Sequence, residues 1–152
     1  MATRKISGIE LLQILRGFNK PYFTVADFEK ILRLKREVLY VTLNRLVKTG
    51  VLIRLKRGVY QSEFQSLELE KTANELYYPS YLSFESALSR YSILSQIPYT
   101  LTFATTKTSK KQTLAGREVE YKQLKDVLFF GYGLMGGIYI AEPEKVRNFF
   151  DN

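Results

Sequence analysis

The chain has 152 residues, 45% of them hydrophobic and 14% aromatic, enough to bury a core in one domain or two small ones. It contains no Cys and no His, which excludes disulfides, thiolate or imidazole zinc sites and the Ser-His-Asp and Cys-His nucleophile arrangements. The net charge of +8 is unevenly placed: residues 1–62 hold 13 Lys or Arg against 4 Asp or Glu, whereas the remainder holds 10 against 11. The positive field thus belongs to the N-terminal part, which a polyanion would feel. With no apolar run of membrane-spanning length and no secretory leader, a cytoplasmic chain without membrane contact is expected.

In chain order, Ile9, Leu11, Leu12, Ile14 and Leu15 fall at helical spacing after Ile6, and Gly17, Asn19 and Pro21 end that helix. Thr24 is placed to cap a second helix carrying Val25, Phe28, Ile31 and Leu32. A short turn, Arg33-Leu34-Lys35, leads to a third helix over Lys35–Thr49 with an apolar stripe of Leu39, Leu43, Leu46 and Val47, stopped by Gly50. Val51–Arg54 reads as a strand, Leu55-Lys56-Arg57-Gly58 as a turn and Val59–Gln61 as the returning strand.

Two helices joined by a short turn, followed by a basic hairpin, predict a winged helix-turn-helix over residues 1–62. In such a unit the second helix of the pair lies in the major groove, where base edges present a distinct pattern of donors and acceptors. Arg36, Glu37, Tyr40, Asn44 and Lys48 project away from the leucine stripe, and the candidate DNA-binding residues of that helix are Lys35, Arg36, Tyr40, Asn44 and Arg45. Arg pairs bidentately with guanine and Asn with adenine, while Glu37 either accepts from cytosine or repels phosphate. On the hairpin, Arg54, Lys56 and Arg57 are placed for the backbone or the minor groove, with Gly58 permitting the turn. For Arg36, Tyr40 and Asn44 individually the competing reading is a phosphate contact or plain solvent exposure, and for the third helix as a whole it is the solvated charged face of a small helical bundle.

Residues 63–152 predict a small α+β domain. The Glu-rich stretch Glu63–Glu75 is expected to be a connecting helix, and Ser83 to cap a short helix through Ala87 and Leu88. Tyr99–Lys107, Glu118–Leu124, Val127–Gly131 and Ile138–Ala141 look strand-like, Thr106–Thr113 is expected as a mobile loop, and Pro143 opens a last helix ending at Phe149 and Phe150. Gly131-Tyr132-Gly133-Leu134-Met135-Gly136 spells a dinucleotide-binding fingerprint, but Gly137 and the β-rich Ile138-Tyr139-Ile140 follow it, so a glycine-rich hairpin is the better reading. Lys107, Lys110 and Lys111 read as a solvated loop, and the 14 Phe and Tyr after Phe64 as core and interface filling. Glu118 and Glu120 alternate on one strand face with no second metal ligand nearby in sequence. No catalytic residue, metal or cofactor is therefore expected, and the chain does not read as an enzyme.

Several phrases resemble the AbiEi-type antitoxins of abortive-infection, type IV toxin-antitoxin systems and their relatives among transcriptional regulators. They are Arg57-Gly58-Val59-Tyr60 closing the hairpin, Tyr78-Pro79-Ser80-Tyr81-Leu82-Ser83-Phe84-Glu85-Ser86-Ala87-Leu88, Ile97-Pro98-Tyr99, and Ile140-Ala141-Glu142-Pro143-Glu144-Lys145. The resemblance implies a homodimeric autorepressor of its own operon that binds double-stranded DNA at an inverted-repeat operator, with a cognate toxin as a further partner. Its alternative is a protein-interaction antitoxin that neutralises a nucleotidyltransferase-like toxin. Members of that family continue well past Pro143-Glu144-Lys145, whereas this sequence ends at Asn152 and lacks the usual C-terminal extension, so the resemblance bears on DNA binding before toxin neutralisation.

Overall fold

The computed structural model describes residues 5–65, 68–93 and 98–150, with the backbone alone for 147–150. Ser66 and Leu67 of the Glu-rich stretch, Ile97, and the side chains of Phe149 and Phe150 lie outside the described residues. The chain is mixed α+β and divides into two compact units, Met1–Leu67 and Glu68–Asn152.

In the first unit, α1 (Gly8–Arg16) starts at Ser7, whose Oγ accepts the Glu10 N–H at 3.2 Å. A two-residue strand, β1 (Phe23–Thr24), leads into α2 (Val25–Leu32). Thr24 caps α2 as its side-chain chemistry predicts. Its Oγ1 accepts the Asp27 N–H at 3.2 Å, and the Asp27 carboxylate accepts the Thr24 N–H at 2.8 Å and Lys20 Nζ at 2.9 Å. Burial pushes the Asp27 carboxyl up, but the hydrogen bonds it receives from the Thr24 N–H, the Lys20 ammonium and the Thr24 side chain, with the Lys20 charge, outweigh burial and hold the group below its ordinary value. Arg33, left-handed at φ 54°, ends α2 and turns the chain into α3 (Arg36–Lys48).

β2 (Leu52–Lys56) and β3 (Val59–Ser62) complete an antiparallel sheet of order β1-β3-β2. The returning hairpin is longer than its alternation predicts, because a bulge between Arg54 and Lys56 leaves Leu55 as an extra residue. Leu52 and Leu55 both reach the interior for that reason, and Ile53 and Arg54 both face out. The turn shrinks to Arg57-Gly58, with Gly58 at φ 78°, a backbone shape that favours glycine. The core of this unit joins Leu11, Leu15, Phe23, Phe28, Leu39, Leu43, Leu46, Leu52 and Tyr60. Each such side chain contributes about 1.5 to 3 kcal/mol by leaving water.

The second unit is built on a six-stranded sheet of order β6-β7-β5-β4-β9-β8. Its elements are α4 (Leu69–Leu76), β4 (Ser80–Leu82), α5 (Phe84–Arg90), β5 (Leu101–Thr105), β6 (Lys110–Leu114), β7 (Arg117–Gln123), a 3-10 turn at Asp126–Leu128, β8 (Tyr132–Met135), β9 (Ile138–Ala141) and α6 (Pro143–Phe150). Helices α4 and α5 pack on β4, β9 and β5, and α6 packs on α5. Asn74 fastens α4 to the sheet: its Nδ2 donates to Ser80 O at 2.7 Å and Oγ at 3.0 Å, and its Oδ1 accepts the Tyr139 N–H at 3.0 Å.

Several expectations for this unit need correction. Thr106–Thr113 is not a loop throughout, since β6 takes up Lys110 onward as an edge strand against β7. Its Lys110-Lys111-Gln112-Thr113 sequence is polar because it pairs on one side only, and edge lysines discourage pairing with another chain. Val127–Gly131 is not a strand. Its apolar run forms the 3-10 turn with Val127 78% exposed, and Phe129 alone turns inward to meet Tyr81 at 4.9 Å. Ser83 stands at the N-cap of α5, but Phe84 follows at φ 55° and turns the first helical turn away, so the Ser83 Oγ makes no cap bond. Gly131–Gly137 is the expected hairpin: Met135 pairs with Ile138, and Gly136 and Gly137 form the two-residue turn at positive φ.

Candidate nucleic-acid interface

The side of α3 that meets the core sets the side that is free. Leu39, Leu43 and Leu46 are wholly buried, which fixes the rotation of the helix about its axis. Glu37, Val41, Asn44 and Lys48, at i, i+4, i+7 and i+11, then form one exposed row, with Tyr40 beside it at 45% exposure. Among the polar members of that row stands Val41, 69% exposed.

The candidate residues are placed differently from one another. Lys35 sits exposed at the N-cap of α3 with no side-chain cap bond. Arg36 is 65% exposed and its Nε donates to a Glu29 carboxylate oxygen from α2. That bond, with the carboxylate charge and the nearby Tyr40, raises the guanidinium above its ordinary value. The bond uses Nε and leaves the terminal fork of two nitrogens to another acceptor. Tyr40 and Asn44 are exposed. Arg45 is half-buried and points back along the fold, its Nη2 donating to the Ile6 carbonyl at 2.9 Å. On the hairpin, Arg54 and Arg57 are exposed and Lys56 is half-buried.

The structure therefore brings Arg36, Tyr40 and Asn44 onto exposed parts of one helix, and it sets Arg45 against the segment before α1. The sequence-based set omits Val41 and Lys48. Val41 is easily passed over because an apolar residue in a helix is read as core. The row Glu37, Val41, Asn44, Lys48, out of step with the leucine stripe, is the signal that separates it.

Outside this surface, no helix among the described residues is long and apolar enough to cross a membrane. Nor does any group of three or more acidic side chains among them stand close enough to hold a metal ion. Residues 10–62 match the family model described as transcriptional regulator, AbiEi antitoxin. The matched segment runs from α1 to the end of β3 and contains every candidate residue named above. No curated protein matches the chain.

Proposed function

We propose, from the family match over residues 10–62, that residues 1–62 form a winged helix-turn-helix and that the protein is a sequence-specific transcriptional regulator working by binding double-stranded DNA, without catalysis. The observation that carries this reading is the exposed row of α3, held outward by the buried Leu39, Leu43 and Leu46 beneath it. In this reading α2 braces α3 across the backbone while α3 enters the major groove. Asn44 pairs with adenine, and Arg36, steadied by Glu29 through Nε, offers its terminal fork to guanine O6 and N7. Lys35, Tyr40 and Lys48 meet phosphates along the groove. The β2-β3 hairpin is the wing, with Arg54, Lys56 and Arg57 supplying backbone affinity. Arg45 holds the segment before α1 through Ile6 and acts by positioning. Two copies on an inverted repeat upstream of its own operon give a cytoplasmic, dimeric autorepressor.

Fluorescence anisotropy with the duplex upstream of its own coding sequence, against a scrambled duplex at two salt concentrations, tests this. The expected result is a preference of roughly a thousandfold with a steep salt slope. Weak and equal binding to both duplexes would remove the reading. Within it, Arg36→Ala and Asn44→Ala each cost about 1 to 3 kcal/mol on the cognate duplex and little on random DNA, whereas Lys56→Ala and Arg57→Ala weaken both and lower the salt slope by about one each.

A second role, neutralisation of a toxin, is favoured by the antitoxin part of the family description and by the exposed Leu134 and Met135 of β8, an edge strand that carries no charge. Co-expression with the neighbouring gene product would then yield a complex that survives high salt. Its dissociation by Leu134→Lys would assign β8 to that partner.

A further inference from the structure

We infer that Val41 reads the C5-methyl group of a thymine, so that the DNA this protein selects contains an A·T step under the middle of α3. The inference rests on the DNA-binding reading above and names what that surface recognises.

The argument begins with what Val41 does not do for the fold. Valine is a poorer helix former than alanine because its branched Cβ loses rotamer freedom against the preceding turn. A helix position that is 69% exposed returns almost nothing for that loss through burial. The leucine stripe that holds α3 down lies on the other side, so Val41 is not core displaced by a slip of register. Stability alone would favour Ala, Glu, Lys or Gln at this position.

Its surroundings decide the occupant. Asn44 lies one turn further along the same row, Tyr40 stands beside it, Lys48 continues the row, and Lys35 flanks the start of the helix. An apolar side chain set in a row of charged and hydrogen-bonding groups, with Glu37 one turn before it and Asn44 and Lys48 after it, matches the major groove, whose edges present donors, acceptors and one apolar group, the thymine methyl. The amide side chain that reads adenine N6 and N7 and the apolar side chain that reads a thymine methyl are one helical turn apart. Residues so spaced face the same or adjacent base pairs. The surplus of Lys and Arg over residues 1–62 makes nucleic acid the fitting occupant, because an apolar protein partner would have to desolvate that charge.

The test uses the full chain and a duplex selected by it from a random pool. Each thymine of that duplex is replaced singly by deoxyuridine, which removes the methyl and leaves base pairing intact. We expect at least one position where the replacement weakens the wild type roughly three- to tenfold, the loss expected for burying one methyl group. Val41→Ala should bind the parent duplex more weakly by a similar factor and be indifferent to deoxyuridine at that position. Its thermal unfolding should be unchanged or higher, since it removes a β-branched residue from an exposed helix. Val41→Ala binding the selected duplex as tightly as the wild type, or every deoxyuridine weakening both proteins alike, would overturn the inference while leaving the DNA-binding reading intact. If no duplex is enriched from the pool, the reading beneath it falls, and the inference falls with it.

Discussion

The two units solve the problem of a stable interior with different materials. In the first, the interior is mostly hydrocarbon, with Gln61 and Ser62 buried at its β3 edge: Leu and Phe side chains meet a ladder of rings that starts at the exposed Phe18 and runs through Phe23 and Phe28 to Tyr60 at centroid separations of 6.2, 5.8 and 5.8 Å. In the second, Thr72, Asn74, Ser80, Ser83, Ser86, Thr102, Thr105 and Lys145 are all buried among the strands and helices. Thr102 Oγ1 donates to the Ser83 carbonyl at 2.8 Å, and Ser86 Oγ accepts the Thr102 N–H at 2.8 Å. The difference teaches where each unit keeps its polar chemistry. The first turns most of it to solvent, where charge can meet a partner, and the second spends much of it on joining segments distant in sequence.

That contrast can be broken most forcefully at Phe28, which is fully buried between the rings of Phe23 and Tyr60. Phe28→Ala should cost about 3 to 5 kcal/mol, the usual loss for truncating a buried ring. Amide hydrogen exchange read by mass spectrometry would register it as lost protection in peptides from residues 5–65. Protection retained there would mean that the ring ladder does not organise the unit.

The corresponding blow to the second unit is Asn74→Ala. It removes the amide nitrogen that donates to the Ser80 carbonyl and hydroxyl and strips the Tyr139 N–H of its acceptor. With buried groups left unpaired, a loss of about 3 kcal/mol is expected, seen as faster exchange at β4 and β9. A loss no larger than that of an exposed asparagine such as Asn44 would erase the distinction between the units.

The smallest effect sharpens the comparison by pH. The Asp27 carboxyl is held below 3.8, so it contributes stability above that pH, and this is lost as pH falls through the lowered value. Asp27→Asn keeps an acceptor for the Thr24 N–H but gives up the charge facing Lys20. It should cost about 1 kcal/mol at neutral pH and less as the pH falls below 4, so the two stability curves converge on the acid side. Parallel curves over that range would show that the charge of Asp27 plays no part in the cap.

Legibility in the sequence follows the same division. Leu39, Leu43 and Leu46 at helical spacing, Thr24 with Asp27 three residues on, and the Arg57-Gly58 turn are local signals, and the helices and hairpin of the first unit rest on such signals. β4 and β1, of three and two residues, are too short for any alternation to register. They exist because β5, β9 and β3 are there to pair with them. β6 is hidden by its lysines for the reason that protects it as an edge. In the candidate interface, the exposed polar residues of α3 followed from the period of the leucines. The tie of Arg45 to Ile6, 39 residues away, and the brace of Arg36 by Glu29 depend on how α1 and α2 cross α3.

The sequence by itself determined the positive charge of residues 1–62, the absence of Cys and His chemistry, the three helices with their leucine stripe and the two glycine hairpins, because composition, helical period and turn stereochemistry act between near neighbours. Only the tertiary structure decided that Leu55 turns inward through a bulge, that the apolar run at Val127 stays outside the sheet, and that Arg45 is drawn back to the Ile6 carbonyl. Each of these depends on which distant surface arrives to cover a side chain, and burial is a property of the assembled fold.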